Sequence, residues 1–398
     1  MVLKIKLENF FSIKEKIVID FIAGNTKSAF AEKLSDNIFE IKDAKVIKTI
    51  GLFGQNASGK SNILKALTFC VDLINNSQLY SDTTTLQYTP YKFDNYSDKP
   101  STFFIDFMMD DVEYEYSFSL MHNSIIKESL YYYPNHRRAK VFERDETSDE
   151  PVYSFGGNVI KRANDIIAST GKQNLFLSRA SSMNRELAQD LCKYFKENIV
   201  LRLDGFDENQ LKNHFTKYKD LILETLSLCD SDITNIELDF EKLDTLNRPV
   251  FTTYHNNNND VPFDMAREES DGTNNLFRIL LRLIDVIENG KLIFLDEFDN
   301  SLHTFLADFV INLIHASNNA QMIYTSHNTN LIDVKKLRKD QILFVNKKDN
   351  SYTEVYSLFD FKDFRETMDA EKGYLQGRFE AVPDAEVSVE SLKKLLRK

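Results

Sequence analysis

The chain has 398 residues, 42% hydrophobic and 28% charged, with no tryptophan and a formal net charge of -12 from 49 Lys+Arg against 61 Asp+Glu. That length suggests about two or three domains around a sizeable core, and no stretch approaches about 18 uncharged apolar residues, which excludes a membrane span. The acidic balance argues against a chain-wide nucleic-acid surface. Residues MVLKIKLENF contain no signal-peptide core, and Cys70, Cys192 and Cys229 form no CxxC pair or disulfide framework, so a reduced cytoplasm is the expected location.

Leu3, Ile5 and Leu7 alternate with Lys4, Lys6 and Glu8, the period of a half-buried strand, and Ile17-Val18-Ile19 begins a second. Val46 to Phe53 is an apolar run broken by Lys48, Thr49 and Gly51, and it predicts a strand ending in GQNASGKS. Ile63, Leu64, Leu67, Val71 and Ile74 then recur at helical spacing. From 100 to 160 the pattern is one of hairpins, with Tyr114, Tyr116, Phe118 and Leu120 alternating strictly after an Asp110-Asp111 turn. Residues 183–228 predict two helices, with no heptad run long enough for a coiled-coil arm. After the polar loop NNNND (Asn256–Asp260) the chain becomes α/β again. A helix carries Leu276, Leu280, Leu283 and Ile287 and stops at Gly290; a short strand, Leu292–Leu295, follows. A second helix carries Leu302, Phe305, Phe309 and Leu313, and a strand at Met322–Thr325 leads into Ser326-His327.

The expected fold is therefore α/β, a mixed sheet with flanking helices, split by an α+β insertion. The expected division is 1–125 for the first part of the core with the glycine loop, 126–260 for the insertion, 261–345 for the rest of the core and 346–398 for a C-terminal tail.

GQNASGKS (Gly54–Ser61) has the spacing of a phosphate-binding loop, and twelve glycines in the whole chain make a chance match rare. In that pattern the backbone N–H groups of Gly54, Gln55, Asn56, Ala57, Ser58 and Gly59 curl round phosphate at a helix N-terminus, Lys60 neutralises β/γ charge, and the Ser61 hydroxyl holds Mg²⁺. LIFLDEFD ends a buried strand in two carboxylates, so that Asp296 can face Mg²⁺ while Glu297 holds the attacking water. ESDGTNN (Glu269–Asn275) opens a helix, and two readings stay open for it: an ordinary start capped by Ser270 or Asp271, or a phosphate contact through Ser270, Gly272 and Thr273. His327 follows a strand at the place where a γ-phosphate-contacting histidine would stand.

In this order and spacing the motifs resemble the ABC-type ATPase heads of the RecF/SMC/OLD group. More narrowly, the chain resembles the AAA15-type, RloA-like ATPases linked to abortive infection and anti-phage defence. The segments that carry this are LENFFSIKEKIVIDF, NLFLSRA (Asn174–Ala180), ESDGTNNLF, LDEFDNSLH, RKDQILFV (Arg338–Val345) and YLQGRFEAVP (Tyr374–Pro383), with Glu380 departing from the glycine usual in the family. The resemblance implies an ABC-type P-loop head that hydrolyses ATP with Mg²⁺, in which two subunits sandwich two ATP molecules. Ser270, Gly272 and Thr273 would then act across the interface, Ser301–His303 would be the D-loop, His327 the switch histidine, and Gln87, in TLQYTPYKF, a further Mg²⁺ ligand. It also implies a homodimer or higher homo-oligomer and an effector in trans, a nuclease or toxin, because the 70-odd residues after His327 are too few for a nuclease domain.

The alternatives are a RecF/SMC-like repair ATPase that binds DNA, disfavoured by the missing coiled coil and the acidic charge, and a nucleotide-gated scaffold, disfavoured by Glu297. Nucleic acid is left open as a partner. Asn346-Lys347-Lys348-Asp349 spells the NKxD of GTPases, but no DxxG follows the phosphate loop, and a polar hairpin turn is the better reading. Basic clusters at Arg137-Arg138-Lys140, Lys335-Lys336-Arg338-Lys339 and Lys393-Lys394-Arg397-Lys398 read as solvated faces, the last being the likeliest to reach a partner.

Overall fold

The computed structural model describes residues 1–25, 29–41, 44–81, 83–149, 152–157, 159–229, 232–243, 246–348 and 351–382. Asp349, Pro383 and the basic run Lys393–Lys398 lie outside these. The first strands are β1 (Val2–Glu8), β2 (Ile17–Asp20), β3 (Ile38–Ile41), β4 (Ala44–Ile47) and β5 (Thr49–Phe53). The middle of the chain supplies β6 (Ser101–Met109), β7 (Val112–Met121), β8 (Ser124–Tyr132), β9 (Ala139–Asp145), β10 (Tyr153–Phe155), β11 (Ile199–Val200), β12 (Ile233–Leu243), β13 (Leu246–His255) and β14 (Phe263–Asp264). The last strands are β15 (Leu292–Leu295), β16 (Gln321–Ser326), β17 (Ile342–Lys348) and β18 (Tyr352–Ser357). The helices are α1 (Ala29–Lys33), α2 (Lys60–Asn76), α3 (Ala163–Ser169), α4 (Phe176–Ser182), α5 (Glu186–Asn198), α6 (Glu208–Leu228), α7 (Met265–Glu268), α8 (Asp271–Glu288), α9 (Thr304–Ala316) and α10 (Ala370–Leu375).

Among the described residues two large sheets face each other across α2. One is antiparallel, in the order β10-β9-β8-β7-β6-β1-β2; the other is the core sheet, β11-β15-β16-β5-β17-β18, parallel except for the final hairpin. The central strands β5, β15 and β16 are buried along their whole length because both of their faces are covered. Phe294, Ile323, Leu343 and Val345 face the cluster that holds Ile63, Leu67, Cys70 and Ile74 of α2 and the inner side of the antiparallel sheet. Their neighbours Ile293, Leu295, Met322, Tyr324, Ile342 and Phe344 face α8 and α9. The expected mixed sheet with flanking helices is the fold observed.

Three local differences have physical causes. First, the antiparallel sheet does not stop near residue 125: β8 and β9 pair on through β7 to Asp145, and β11 joins the core sheet against β15. The expected 126–260 insertion is thus threaded into both sheets. Second, the expected tail beyond 346 contributes β18 to the core sheet, and Phe344 stacks on Tyr374 and Phe379. Third, α9 begins at Thr304, capped by His303, whose Nδ1 accepts from Phe305 N. Its buried face is Ala307, Val310, Ile311 and Ile314, packed into the core, while Phe305 is 62% exposed. Asn346 to Lys348 end β17, paired with Tyr352 to Glu354 of β18, and Asp349 of the expected turn lies outside the described residues.

Several quoted segments are braces. The NLFLSRA helix start is capped by the buried Glu128 carboxylate, which accepts from Phe176 N at 2.6 Å and Leu177 N at 2.9 Å. In RKDQILFV, Gln341 Nε2 donates to Thr49 Oγ1 at 2.7 Å, tying β17 to β5. Within the basic clusters of the described part, Arg138 pairs with Glu115, Lys140 with Glu143, Lys336 with Asp308 and Arg338 with Asp340.

Candidate functional site

Parallel pairing sets Thr325 beside Leu52, Ser326 beside Phe53 and Leu295 beside Tyr324. The C-terminal ends of β5, β15 and β16 therefore open on one edge, the place where α/β sheets hold ligands. From that edge project the Gly54–Ser61 loop, Asp296-Glu297 and Ser326-His327.

The loop is built around small residues with unusual backbone. Gly59, the cap of α2, has φ +109° and Ala57 φ +62°. A side chain at Gly59 would run into Thr353 Oγ1 and Ser12 Oγ, and one at Gly54 into the Val345 carbonyl. Ser12 and Thr353 form a brace: their hydroxyls are 2.7 Å apart, Thr353 Oγ1 donates to the Ser58 carbonyl at 2.7 Å, and Asn62 Nδ2 donates to Ser12 Oγ at 2.7 Å. Lys60 is buried, and its Nζ donates to the carbonyls of Gly54 at 2.8 Å and Gln55 at 3.0 Å. Burial pulls the Lys60 ammonium down to about 8, and the charges of Asp296 and Glu297 oppose the fall. Ser58 Oγ is buried with no hydrogen-bond partner among the described residues.

Thr325 organises the two carboxylates. Its Oγ1 donates to Asp296 Oδ1 at 2.6 Å and accepts from Glu297 N at 2.7 Å, holding Glu297 at φ +46°. Both carboxylates are exposed. His327 Nε2 lies 3.9 Å from Glu297 Oε1, too far for a hydrogen bond, so the two flank a common patch of solvent. Burial and the Lys60 charge hold the His327 imidazole below its ordinary value against the pull of Glu297, Asp299 and Asp296. Ser326 Oγ donates to Asp299 Oδ2 at 2.6 Å and fixes the strand end before His327. A cleft of about 510 Å³ lies against Gly54, Gln55, Asn56 and His327, with Tyr374 and Val382 in its wall. The chemistry of the donors fits Mg²⁺: Ser61 and Asp296 offer the hard oxygen ligands that this ion takes.

Ser270 is the cap of α8, its Oγ accepting from Thr273 N at 3.0 Å and lying 2.8 Å from Thr273 Oγ1. Asn275 Nδ2 donates to the carbonyls of Phe298 and Asn300, and a Cβ on Gly272 would stand 2.8 Å from the Ser301 carbonyl oxygen. The turn thus packs on the loop that follows Glu297. Among the described residues none of its hydrogen bonds runs to Gly54–Ser61. Gln87 is exposed on the segment after α2, where Thr89 O accepts from Phe11 N. It is not brought to Ser61 or Asp296 by any hydrogen bond among the described residues.

Sequence reasoning missed Ser12, Thr353, Thr325 and Asn275. The first two lie 42 and 292 positions from the nearest loop residues, and a lone hydroxyl gives no periodic signal.

No curated protein matches the chain at a significant level. Solved structures similar to it include an SMC head domain from Thermotoga maritima (15% identity, TM-score 0.40, 89% of this chain and 98% of that one). Another is an Smc head domain with an extended coiled coil bound to the C-terminal domain of ScpA, from Pyrococcus furiosus (14% identity, TM-score 0.41, 95% and 98%). The family model described as "AAA domain, putative AbiEii toxin, Type IV TA system" matches residues 50–333. With that match running from β5 through the phosphate loop, Asp296-Glu297 and His327, the chain belongs to this family of P-loop AAA-type ATPase domains.

Proposed function

We propose that the protein is a Mg²⁺-dependent ATP hydrolase that closes into a homodimer on ATP. In this reading it acts in the cytoplasm as the regulatory ATPase of a bacterial anti-phage, abortive-infection system of the AAA15-type, with a nuclease or toxin as effector in trans. The observation that carries the enzymatic part is the meeting of Lys60, Asp296, Glu297 and His327 at one strand-end edge, with Thr325 fixing both carboxylates. The toxin and abortive-infection context rests on the family description.

Lys60 would exchange its two loop carbonyls for β- and γ-phosphate oxygens, and the backbone N–H groups of residues 54–59 would cradle them. Ser61 and Asp296 would hold Mg²⁺, with Gln87 the further candidate; the ion supplies charge neutralisation at the phosphates. Glu297 would take the proton of the attacking water, and His327 would give a ring N–H to the γ-phosphate. Ser270, Gly272 and Thr273 face solvent or the Ser301 loop in their own chain and would meet the nucleotide of a second subunit, with Ser301–His303 at the seam. Glu297→Gln keeps Asp296 and removes the base. It should cut turnover by about 100-fold or more and accumulate ATP-bound dimers on size-exclusion chromatography. Wild-type turnover with an unchanged monomer would remove Glu297 from the site.

A further inference from the structure

The ESDGTNN turn is anchored from a second side by the β12–β13 hairpin. Glu269, directly before the cap Ser270, has 10% of its side chain exposed. Its Oε1 accepts from Thr253 Oγ1 at 2.5 Å and lies 2.7 Å from His255 Nε2. On the opposite edge of the ring, His255 Nδ1 lies 2.9 Å from Asp232 Oδ1 at the start of β12. The Phe263 ring of β14 packs edge-on at 4.8 Å. A neutral imidazole has one N–H and can donate to one carboxylate; two carboxylates at hydrogen-bond distance on its two nitrogens call for the imidazolium.

We infer that His255 is a positioning residue for nucleotide closure: as an imidazolium it pins Glu269 to the β12–β13 hairpin and so fixes Ser270 and Gly272 for the ATP of a second subunit. This rests on the trans-acting role proposed above. Asn275 ties the turn to the loop after β15 on one side, and the Asp232–His255–Glu269 chain ties it to the hairpin on the other. Burial pulls the imidazole down, but the hydrogen bonds and charges of Asp232 and Glu269 outweigh it and leave it above its ordinary value. The link is therefore complete below the ordinary histidine pKa and is lost as pH rises through the raised one.

The test measures ATP-driven dimerisation of the Glu297→Gln protein at saturating Mg·ATP between about pH 6 and 9, with and without His255→Gln. Saturating ATP removes the separate titration of Lys60, which acts on nucleotide binding. The parent protein should lose closure toward alkaline pH. His255→Gln should weaken closure roughly tenfold and flatten that pH dependence, while ATP binding by the monomer and the melting temperature stay close to the parent. Glu269→Gln, which keeps shape and removes the charge, should show the same loss, and it decides the matter if His255→Gln does not fold. Folded variants that close like the parent at every pH overturn the inference alone. A parent that never dimerises on ATP overturns the trans-site reading and the inference with it.

Discussion

Two helix starts carry the candidate chemistry, α2 after GQNASGKS and α8 after ESDGTNN, and they are held in different ways. At α2 no side chain caps the helix; the loop lies in a buried cradle of Ser12, Thr353 and the Val345 carbonyl, with Lys60 folded back on its own carbonyls. At α8 a serine caps the helix, the braces come from behind through Asn275 and Glu269, and Ser270 and Asp271 are exposed. The first start is braced within one chain, as the proposed nucleotide loop would need. The second holds a shape outward, as expected of a surface that is complete only against another molecule.

The sharpest way to break this contrast is Lys60→Ala. Loss of the ammonium should weaken ATP binding about 30- to 150-fold, read by calorimetry, with GTP a poor substitute in the wild type; an unchanged Kd would mean the loop is not the nucleotide site. Gly272→Asp should leave ATP binding by the subunit intact yet block closure and hydrolysis, because a side chain there meets Ser301 and crowds the approach of phosphate. Mixed with Lys60→Ala subunits it should recover part of the hydrolysis, one composite site per heterodimer. Normal turnover by Gly272→Asp alone would reduce ESDGTNN to a capped helix start. Thr325→Val keeps the buried shape but leaves Asp296 and Glu297 N without their partner, and should lower turnover about tenfold with smaller effects on ATP affinity. The smallest effect is at Glu380, which has φ +57°, a conformation that favours glycine. Glu380→Gly should leave activity unchanged and raise stability by up to about 1 kcal/mol in a thermal melt.

Contiguous features were legible in the sequence. The strand–loop–helix at 49–76, the apolar run into Asp296-Glu297 and the cap at Ser270 each declare themselves within a few residues, because backbone geometry and strand burial act locally. Features decided at a distance were not. The helical stripe Leu302, Phe305, Phe309, Leu313 suggested one buried face for α9, but packing against the core turned the Ala307, Val310, Ile311, Ile314 face inward. The two-residue strand β11 is too short for any period, and its place is set by β15. Thr325, Thr353 and Ser12 act through single hydroxyls whose partners lie elsewhere in the chain. The left-handed backbone at Glu380 gives no sign in a glutamate side chain.

The order of the core sheet also bears on how the chain reaches its folded state. β5 is central, fully buried, and paired on one side to β16 and on the other to β17, strands that begin at Gln321 and Ile342. On a ribosome adding about 5–20 residues per second, roughly 15–50 s pass between synthesis of TIGLF and of its first neighbour. Throughout that interval an apolar strand waits with both edges open, a template for pairing with another nascent chain. The antiparallel sheet and α2 can collapse on one face of it early, since β1, β6, β7 and the helix all precede residue 122. The nucleotide loop cannot acquire its Thr353 brace until the final hairpin has emerged, 292 positions after Ser61, so the loop is made early and braced late.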